Sequence, residues 1–183
     1  MRHAPVDPPG YLYGSTDADI ERVSSDVSKR LHSRLANCQA FFSSPALRCI
    51  KTYQAVFVEN PLPLQIKEFW EQDFGNWEGL TYNSIPDQGE LSGKDLVEFT
   101  PPNGESFLEL CHRTQPPLLK IISERKVGEI AIFAHAGVIR SFLALALDSK
   151  ELALKFSIDN LSITAIEALS NGQFSISFVN QSV

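Results

Sequence analysis

Arg48 and His135 each follow a short apolar run that ends in small polar residues. Gln39-Ala40-Phe41-Phe42 leads into Ser43-Ser44-Pro45 and then Arg48, while Ile130-Ala131-Ile132-Phe133-Ala134 leads directly into His135-Ala136-Gly137. A guanidinium, an imidazole, serine hydroxyls and the free amides around a glycine that opens a helix are donors suited to an oxyanion, and a helix dipole adds to their pull. In open α/β sheets ligands collect beyond the carboxyl ends of the strands, and both runs deliver their polar residues to that edge. This arrangement by itself implies an anion site built on Arg48 and His135.

The elements that must hold these groups follow from pattern. Ile20, Val23, Val27, Leu31 and Leu35 recur at helical spacing and predict an amphipathic helix over 18–36. Ser44 is a good N-cap and Pro45 suits a first helical position, so a helix is expected there, turning Leu47, Ile50 and Tyr53 inward. Residues 61–104, rich in Pro, Gly and Asn around Trp70 and Trp77, predict a long lid-like excursion with short helical pieces. A helical pattern resumes at Glu105, and Pro116-Pro117 predicts a break near Gln115 before a second helix through Leu118, Ile121 and Ile122. Val138 through Leu147 reads as an apolar helix. Ser162–Leu169 and Phe174–Phe178, joined by Ser170-Asn171-Gly172, read as a β-hairpin. The fold class is therefore α/β, a three-layer α/β/α sandwich with a mixed, mostly parallel sheet and a C-terminal β-hairpin.

Composition narrows the function classes. A chain of 183 residues fits one domain, 1–183, and buries roughly 70% of its unfolded surface. A net charge of −6 opposes general nucleic-acid binding, which needs clustered Lys and Arg, so any phosphate pocket is a local positive island. No apolar stretch is long enough for a membrane span and the start lacks a signal-peptide core, so a cytoplasmic location is expected. Cys38, Cys49 and Cys111 are odd in number and widely spaced, which argues against a disulfide framework and against zinc, and reads as three small buried hydrophobes. His32 and His112 lie in helical patterns outside any motif and receive no role. Oligomeric state is left open, a dimer included.

In order along the chain stand Arg2-His3, Ser43 to Arg48, Glu71 followed by Phe74-Gly75-Asn76-Trp77-Glu78-Gly79, Asn103-Gly104-Glu105-Ser106, and His135-Ala136-Gly137-Val138-Ile139-Arg140. This succession resembles the histidine phosphatase superfamily from residue 2 to about 147. It looks most like the α-ribazole phosphatase and cofactor-dependent phosphoglycerate mutase group. The resemblance implies that His3 accepts a phosphoryl group, that Arg2, Arg48 and His135 surround its oxygens, and that Glu71 serves as general acid and base. It implies no metal and no cofactor, with a small phosphorylated metabolite as substrate and α-ribazole 5′-phosphate as the candidate it suggests. Gly137 is expected at the phosphate, and Glu105 either steadies a helix start or orients His3 or the substrate. Glu78 reads as a surface charge, and the two tryptophans as loop anchors.

Two departures from the family pattern bear on this reading. Ala4 and Pro5 stand where glycine usually follows the Arg-His pair, and the polar residues usual a few positions on are missing, so Tyr13-Gly14-Ser15-Thr16-Asp17 is expected to take over part of their work, with Ser15 at the phosphate. The hydrophobic strand usual before the pair is represented by Met1 alone, so the first strand is expected to be missing and His3 to sit on a free end. Either the natural protein begins further upstream or this form is partly impaired. Mutase-type phosphoryl transfer and phosphate binding without turnover remain open beside hydrolysis.

Overall fold

The computed structural model describes residues 1–124 and 128–183. In chain order the elements are β1 (Val6–Asp7), β2 (Asp19–Ile20), α1 (Ser25–Leu35), β3 (Cys38–Ser43), α2 (Leu47–Val56), β4 (Leu64–Gln65), α3 (Gly93–Glu98), α4 (Phe107–Glu124), β5 (Glu129–Phe133), α5 (Ala136–Leu147), α6 (Lys150–Leu154), β6 (Ile163–Ala168) and β7 (Phe174–Gln181). Single 3₁₀ turns at Lys67–Phe69, Gly75–Trp77 and Tyr82–Ser84 punctuate the segment between β4 and α3. The long excursion with short helical pieces is thus present.

Strands β4, β3 and β5 pair in parallel in that order, and β6 pairs with β7 in an antiparallel hairpin. Alternation sorts residues 40–42 of β3 and 130–133 of β5 between two cores, and a register irregularity between Cys38 and Ala40 turns Cys38 to the side of Phe41. Ala40, Phe42, Ile130 and Ile132 face Leu110, Cys111, Val138 and Phe142 of α4 and α5. Cys38, Phe41, Ala131 and Phe133 face Leu31, Leu35, Cys49, Tyr53 and Val56 of α1 and α2. Helices therefore cover both faces of the sheet, and the α/β sandwich with its closing hairpin is the observed fold.

The expected missing strand has a counterpart. No named strand precedes β1, yet Arg2 bridges Ala134 in parallel, Ala134 N–H donates to Met1 O (2.9 Å) and His3 N–H donates to Ala134 O (3.0 Å). On the other side Arg2 N–H donates to Ser162 O (3.1 Å) and Leu161 N–H to Arg2 O (3.2 Å). Residues 1–3 thus lie between β5 and the start of β6 and tie the hairpin to the parallel sheet. His3 is not on a free end: backbone bonds on both sides hold it and its neighbours, and its own exposure is 6%.

Four local expectations are corrected. The helix expected over 18–36 begins only at Ser25, because Ile20 pairs with Val6 and the Ser24 side chain caps the helix by accepting from Val27 N–H. Helix α2 begins at Leu47 rather than at Ser44-Pro45: the Ser44 hydroxyl meets His135 (2.8 Å) and accepts from Ala46 N–H (3.2 Å) ahead of the helix, and the Leu47 amide at its head donates to the Asp17 carboxylate (2.7 Å). That start leaves Leu47 41% exposed rather than inward. Helix α4 runs unbroken through Pro116 and Pro117. Pro116 deprives the carbonyl of His112 of its helical donor, but both residues are exposed, so water takes the donor's place.

Candidate active site

The register of β3 on β5 pairs Ser43 with Phe133, so Ser44 and His135 leave their strands level with each other, and the Arg2–Ala134 bridge brings His3 to the same edge. Three buried groups meet there. The His3 and His135 rings pack edge to face with centroids 5.2 Å apart, and Arg48, 1% exposed, donates from Nε to His135 Nδ1 (3.2 Å).

Hydrogen bonding fixes the tautomers. His3 Nδ1 lies 2.7 Å from the Ala4 carbonyl, which can only accept, so the proton sits on Nδ1 and Nε2 keeps an unprotonated lone pair. His135 Nδ1 accepts from Arg48, so its proton sits on Nε2, 2.8 Å from the Ser44 hydroxyl. Burial, with Arg48 and Arg2 adding to it against the Ala4 carbonyl, lowers the His3 pKa to about 3. Burial and then Arg48 push His135 well below the usual imidazole range. Both rings are neutral at pH 7.

Arg48 is held on every side. Nη2 donates to Gly14 O (2.7 Å), and Nη1 to Thr16 O (3.0 Å) and Asp17 Oδ1 (3.3 Å). A guanidinium has five N–H donors, so with Nε on His135 one Nη2 hydrogen is left. Residues 13–17 thus form a strap across α2. Ser15, expected at the phosphate, is exposed and spends its polar atoms in the strap: its amide and hydroxyl donate to Glu78 Oε1 (2.7 and 3.0 Å) and its carbonyl accepts from Trp70 Nε1 (3.0 Å).

Beside this cluster opens a cavity of about 410 Å³ lined by Arg2, Glu71, Gln72, Gly137 and Arg140, with walls from Tyr13, Phe74, Tyr82 and Phe107. Glu71, 8% exposed, accepts from the Gly137 amide at the head of α5 (3.1 Å) and from Gln72 N–H (2.9 Å). Gly137 has to be glycine for this approach, since a Cβ would fall 2.9 Å from Leu110 Cδ2 and closer still to Glu71 Oε1. Arg2 donates from Nη1 to Ile158 O (2.5 Å), whereas its buried Nε has no partner among the described residues. An unpaired buried donor of this kind is worth roughly 1–3 kcal/mol to whatever anion satisfies it. Burial lowers the Arg2 and Arg140 pKa values and Glu71 opposes that lowering in both.

The structure therefore brings Arg2, His3, Arg48, Glu71, His135 and Gly137 to one edge; Arg2, Glu71 and Gly137 line the cavity, whereas His3, Arg48 and His135, like Ser15 and Glu105, stand outside its lining. Glu105 forms an ion pair with Arg113 and accepts from Asp73 N–H (3.1 Å). Glu78 is not the surface charge expected, because four donors converge on it. Trp70 and Trp77 do anchor loops, Trp70 through Ser15 and Trp77 by stacking on Phe99. Arg140 was legible: three residues after Gly137 in a helix, it shares that amide's face. Asp17 lies in the 13–17 segment singled out from the sequence, but its bonds to Arg48 and to Leu47 N–H were not foreseen, and Arg113 and the clamp role of Glu78 gave no sequence signal, because so many of their partners are distant backbone groups. Among the described residues no group of three or more His, Cys, Asp or Glu could hold a metal ion, and no helix is long and apolar enough to cross a membrane.

Solved structures share this architecture. A putative α-ribazole-5′-P phosphatase from Escherichia coli superposes with a TM-score of 0.82 at 21% identity, covering 99% of this chain and 94% of that one. A mycobacterial glucosyl-3-phosphoglycerate phosphatase gives 0.86 at 18% identity over 99% and 96%. Phosphoserine phosphatase from Entamoeba histolytica gives 0.81 at 20% over 98% and 93%. By sequence, a bifunctional protein of Mycobacterium tuberculosis is 31% identical over 156 residues, 81% of this chain and 42% of the relative. A 6-phosphofructo-2-kinase/fructose-2,6-bisphosphatase of Arabidopsis thaliana is 27% identical over 132 residues, 70% and 17%. The chain thus spans less than half the length of these curated relatives. The family model for the histidine phosphatase superfamily (branch 1) matches residues 1–182, and the chain belongs to that superfamily.

Proposed function

We propose that this chain is a phosphomonoesterase that hydrolyses a small phosphorylated metabolite through a phosphohistidine at His3. The observation that carries the reading is the state of His3, a buried neutral imidazole whose proton is committed to the Ala4 carbonyl, so that Nε2 is free to attack. In the first step Nε2 attacks phosphorus, the N–P bond forms as the P–O bond to the alcohol breaks, and Glu71 gives the departing oxygen its proton. In the second, Glu71 takes a proton from water, which attacks phosphohistidine, releases inorganic phosphate and restores His3. Arg2, through an Nε with no partner among the described residues, and the remaining Nη2 hydrogen of Arg48 are the donors offered to the phosphoryl oxygens, while the Gly137 amide, which donates to Glu71, would have to leave that carboxylate to join them. His135 supports this set by holding Arg48; its own Nε2 proton would have to leave Ser44 to join them.

Within this class α-ribazole 5′-phosphate is our candidate substrate. The likeness to the Escherichia coli protein supports it, as do the aromatic walls Tyr13, Phe74, Tyr82 and Phe107, which suit a flat ring. A cytoplasmic setting belongs to the same reading, supported by three cysteines that are all free thiols.

The test is a rapid quench after mixing with a radiolabelled phosphomonoester. Acid-labile, base-stable label is expected on the wild-type chain and absent from His3→Ala. Label on a serine, or turnover by His3→Ala at the wild-type rate, would overturn the mechanism.

A further inference from the structure

Glu78 gathers four donors and, among the described residues, no cation. Its Oε1 accepts from Ser15 N–H (2.7 Å), Ser15 Oγ–H (3.0 Å) and Phe74 N–H (3.1 Å), and its Oε2 accepts from Thr16 N–H (2.5 Å). A carboxylate offers about four lone-pair sites, so Glu78 is saturated by these contacts. Burial pushes its carboxyl pKa up, but the bonds from Thr16, Ser15 and Phe74 outweigh burial and hold it below the ordinary value.

The strap so gripped is the one that holds Arg48. The amides of Ser15 and Thr16 go to Glu78, while the carbonyls of Gly14 and Thr16 and the carboxylate of Asp17 go to Arg48. The Gly14–Ser15 peptide unit therefore faces Arg48 with its carbonyl and Glu78 with its amide. The seat is tight, since a Cβ on Gly14 would lie 2.5 Å from Glu78 Oε1 and 2.8 Å from Phe74 Cδ2. Because only one Arg48 N–H is uncommitted, a strap displaced by about an ångström turns that N–H away from its target, an error that can cost on the order of 10²-fold in rate.

We propose that Glu78 is a positioning residue that aims Arg48 at the phosphoryl group by fixing the 14–17 strap. This rests on the phosphomonoesterase reading for what Arg48 is aimed at, but the positional relay from Glu78 to Arg48 stands on geometry alone. A merely structural clamp would weaken the whole fold. A positioning residue acts through Arg48 and loses its influence when Arg48 can no longer be aimed.

The substitution is Glu78→Gln, which keeps shape but turns one acceptor into a donor facing N–H groups. Affinity for inorganic phosphate is measured in the wild type, Glu78→Gln, Arg48→Lys and the double variant. Glu78→Gln should weaken binding about 10-fold when Arg48 is intact and less than about 2-fold in the Arg48→Lys background, since residues in one network are non-additive. Equal weakening in both backgrounds overturns the proposal. Independently of any activity, the Nε–H signal of Arg48 in a ¹⁵N-correlated spectrum should shift in Glu78→Gln while that of Arg2 stays in place. An unmoved Arg48 signal also overturns it. If the signal moves but the wild type forms no phosphohistidine, the phosphomonoesterase reading falls and the relay stands. Should Glu78→Gln fail to fold, Ser15→Ala, which deletes one donor on an exposed residue, carries the same cycle, with an expected effect of about 2- to 3-fold when Arg48 is intact and none in the Arg48→Lys background.

Discussion

Two neutral imidazoles buried beside two guanidiniums make the fold sensitive to mild acid, and the size of that sensitivity can be worked out for His3. In the unfolded chain His3 titrates near 6.5, whereas in the fold burial and then Arg48 hold it neutral down to about 3. Between these values the unfolded state binds a proton that the folded state refuses, so stability rises with pH and falls as pH drops below 6.5. From pH 6 to pH 5 the unfolded His3 goes from mostly to almost wholly protonated while the folded residue stays neutral. The loss is about 1.2 kcal/mol, from 1.36 kcal/mol per pKa unit. His135 is lowered for the same reasons, burial first, and adds a loss of the same sign. Against a domain stability of roughly 5–15 kcal/mol this is readily measured.

The window matters. Burial lowers the Met1 amine to about 6, so its contribution changes between pH 8 and 6 and little below. Glu78, lowered in the fold, loses its contribution only as pH falls from the unfolded carboxylate value toward its folded one. Urea titrations at pH 6 and pH 5 at constant ionic strength, followed by circular dichroism, therefore isolate the histidines. His3→Asn keeps a donor for the Ala4 carbonyl and should shrink the pH 6 to 5 loss by about 1.2 kcal/mol. His135→Asn, which keeps an acceptor for Arg48, should shrink it separately. If His3→Asn shows the same loss as the wild type, His3 is protonated or solvated in the fold, and the argument for a free Nε2 nucleophile fails with it.

Glu71→Gln should slow the first-step phosphoryl transfer from an alkyl phosphate by roughly 10²–10⁴ and from p-nitrophenyl phosphate far less, read in a burst experiment, because p-nitrophenolate leaves without a proton. Equal losses would make Glu71 structural. Gly137→Ala introduces a Cβ against the buried Leu110 Cδ2 and the Glu71 carboxylate, an overpacking cost of about 1–3 kcal/mol that the helix preference of alanine, about 1 kcal/mol, offsets in part. Stability should therefore fall by no more than about 2 kcal/mol while turnover falls at least about 10-fold; a larger loss of stability with full activity would show that the Glu71–Gly137 contact is unimportant to the chemistry.

Where side-chain pattern and local structure agree, the fold could be read from sequence. The runs 39–42 and 130–134 became β3 and β5 because nothing but burial competes for them, and Ser170-Asn171-Gly172 closed the hairpin with Leu169 N–H donating to Gln173 O (2.8 Å). Local pattern failed where a distant partner took the decisive group. Ser44 did not cap α2, because its hydroxyl accepts from Ala46 N–H (3.2 Å), one residue short of the helix, and Asp17 took the Leu47 amide from 30 residues away. Ile20 left the helical pattern to pair with Val6. Arg2, His3, Arg48, Glu71 and His135 were put forward as candidates by motif order and by position at strand ends, and they lie together at one edge of the fold. Glu78 was missed, because a carboxylate bound by backbone amides 62 and 63 positions away carries no local signature.

The clamps that escaped a sequence reading converge on one segment. Arg113 donates to the carbonyls of Glu68 (2.6 Å), Trp70 (3.0 Å) and Glu71 (3.2 Å) and pairs with Glu105, which in turn takes Asp73 N–H, while Gln72 Nε2 donates to Glu105 O (2.8 Å). That network fixes residues 68–73, and with them the Glu71 carboxyl. Seven residues after Glu71, Glu78 grips the strap that fixes Arg48. Phe74 N–H, donated to Glu78, closes the segment on itself (3.1 Å). The group that would manage the leaving proton and the group that would hold the phosphoryl charge are therefore referenced to the same short piece of backbone. A perturbation at Arg113 or Glu105 should then reach both, because the bonds of this segment link the two groups, whereas loss of the Ser15 hydroxyl, which donates to Glu78, should act first on the Arg48 side.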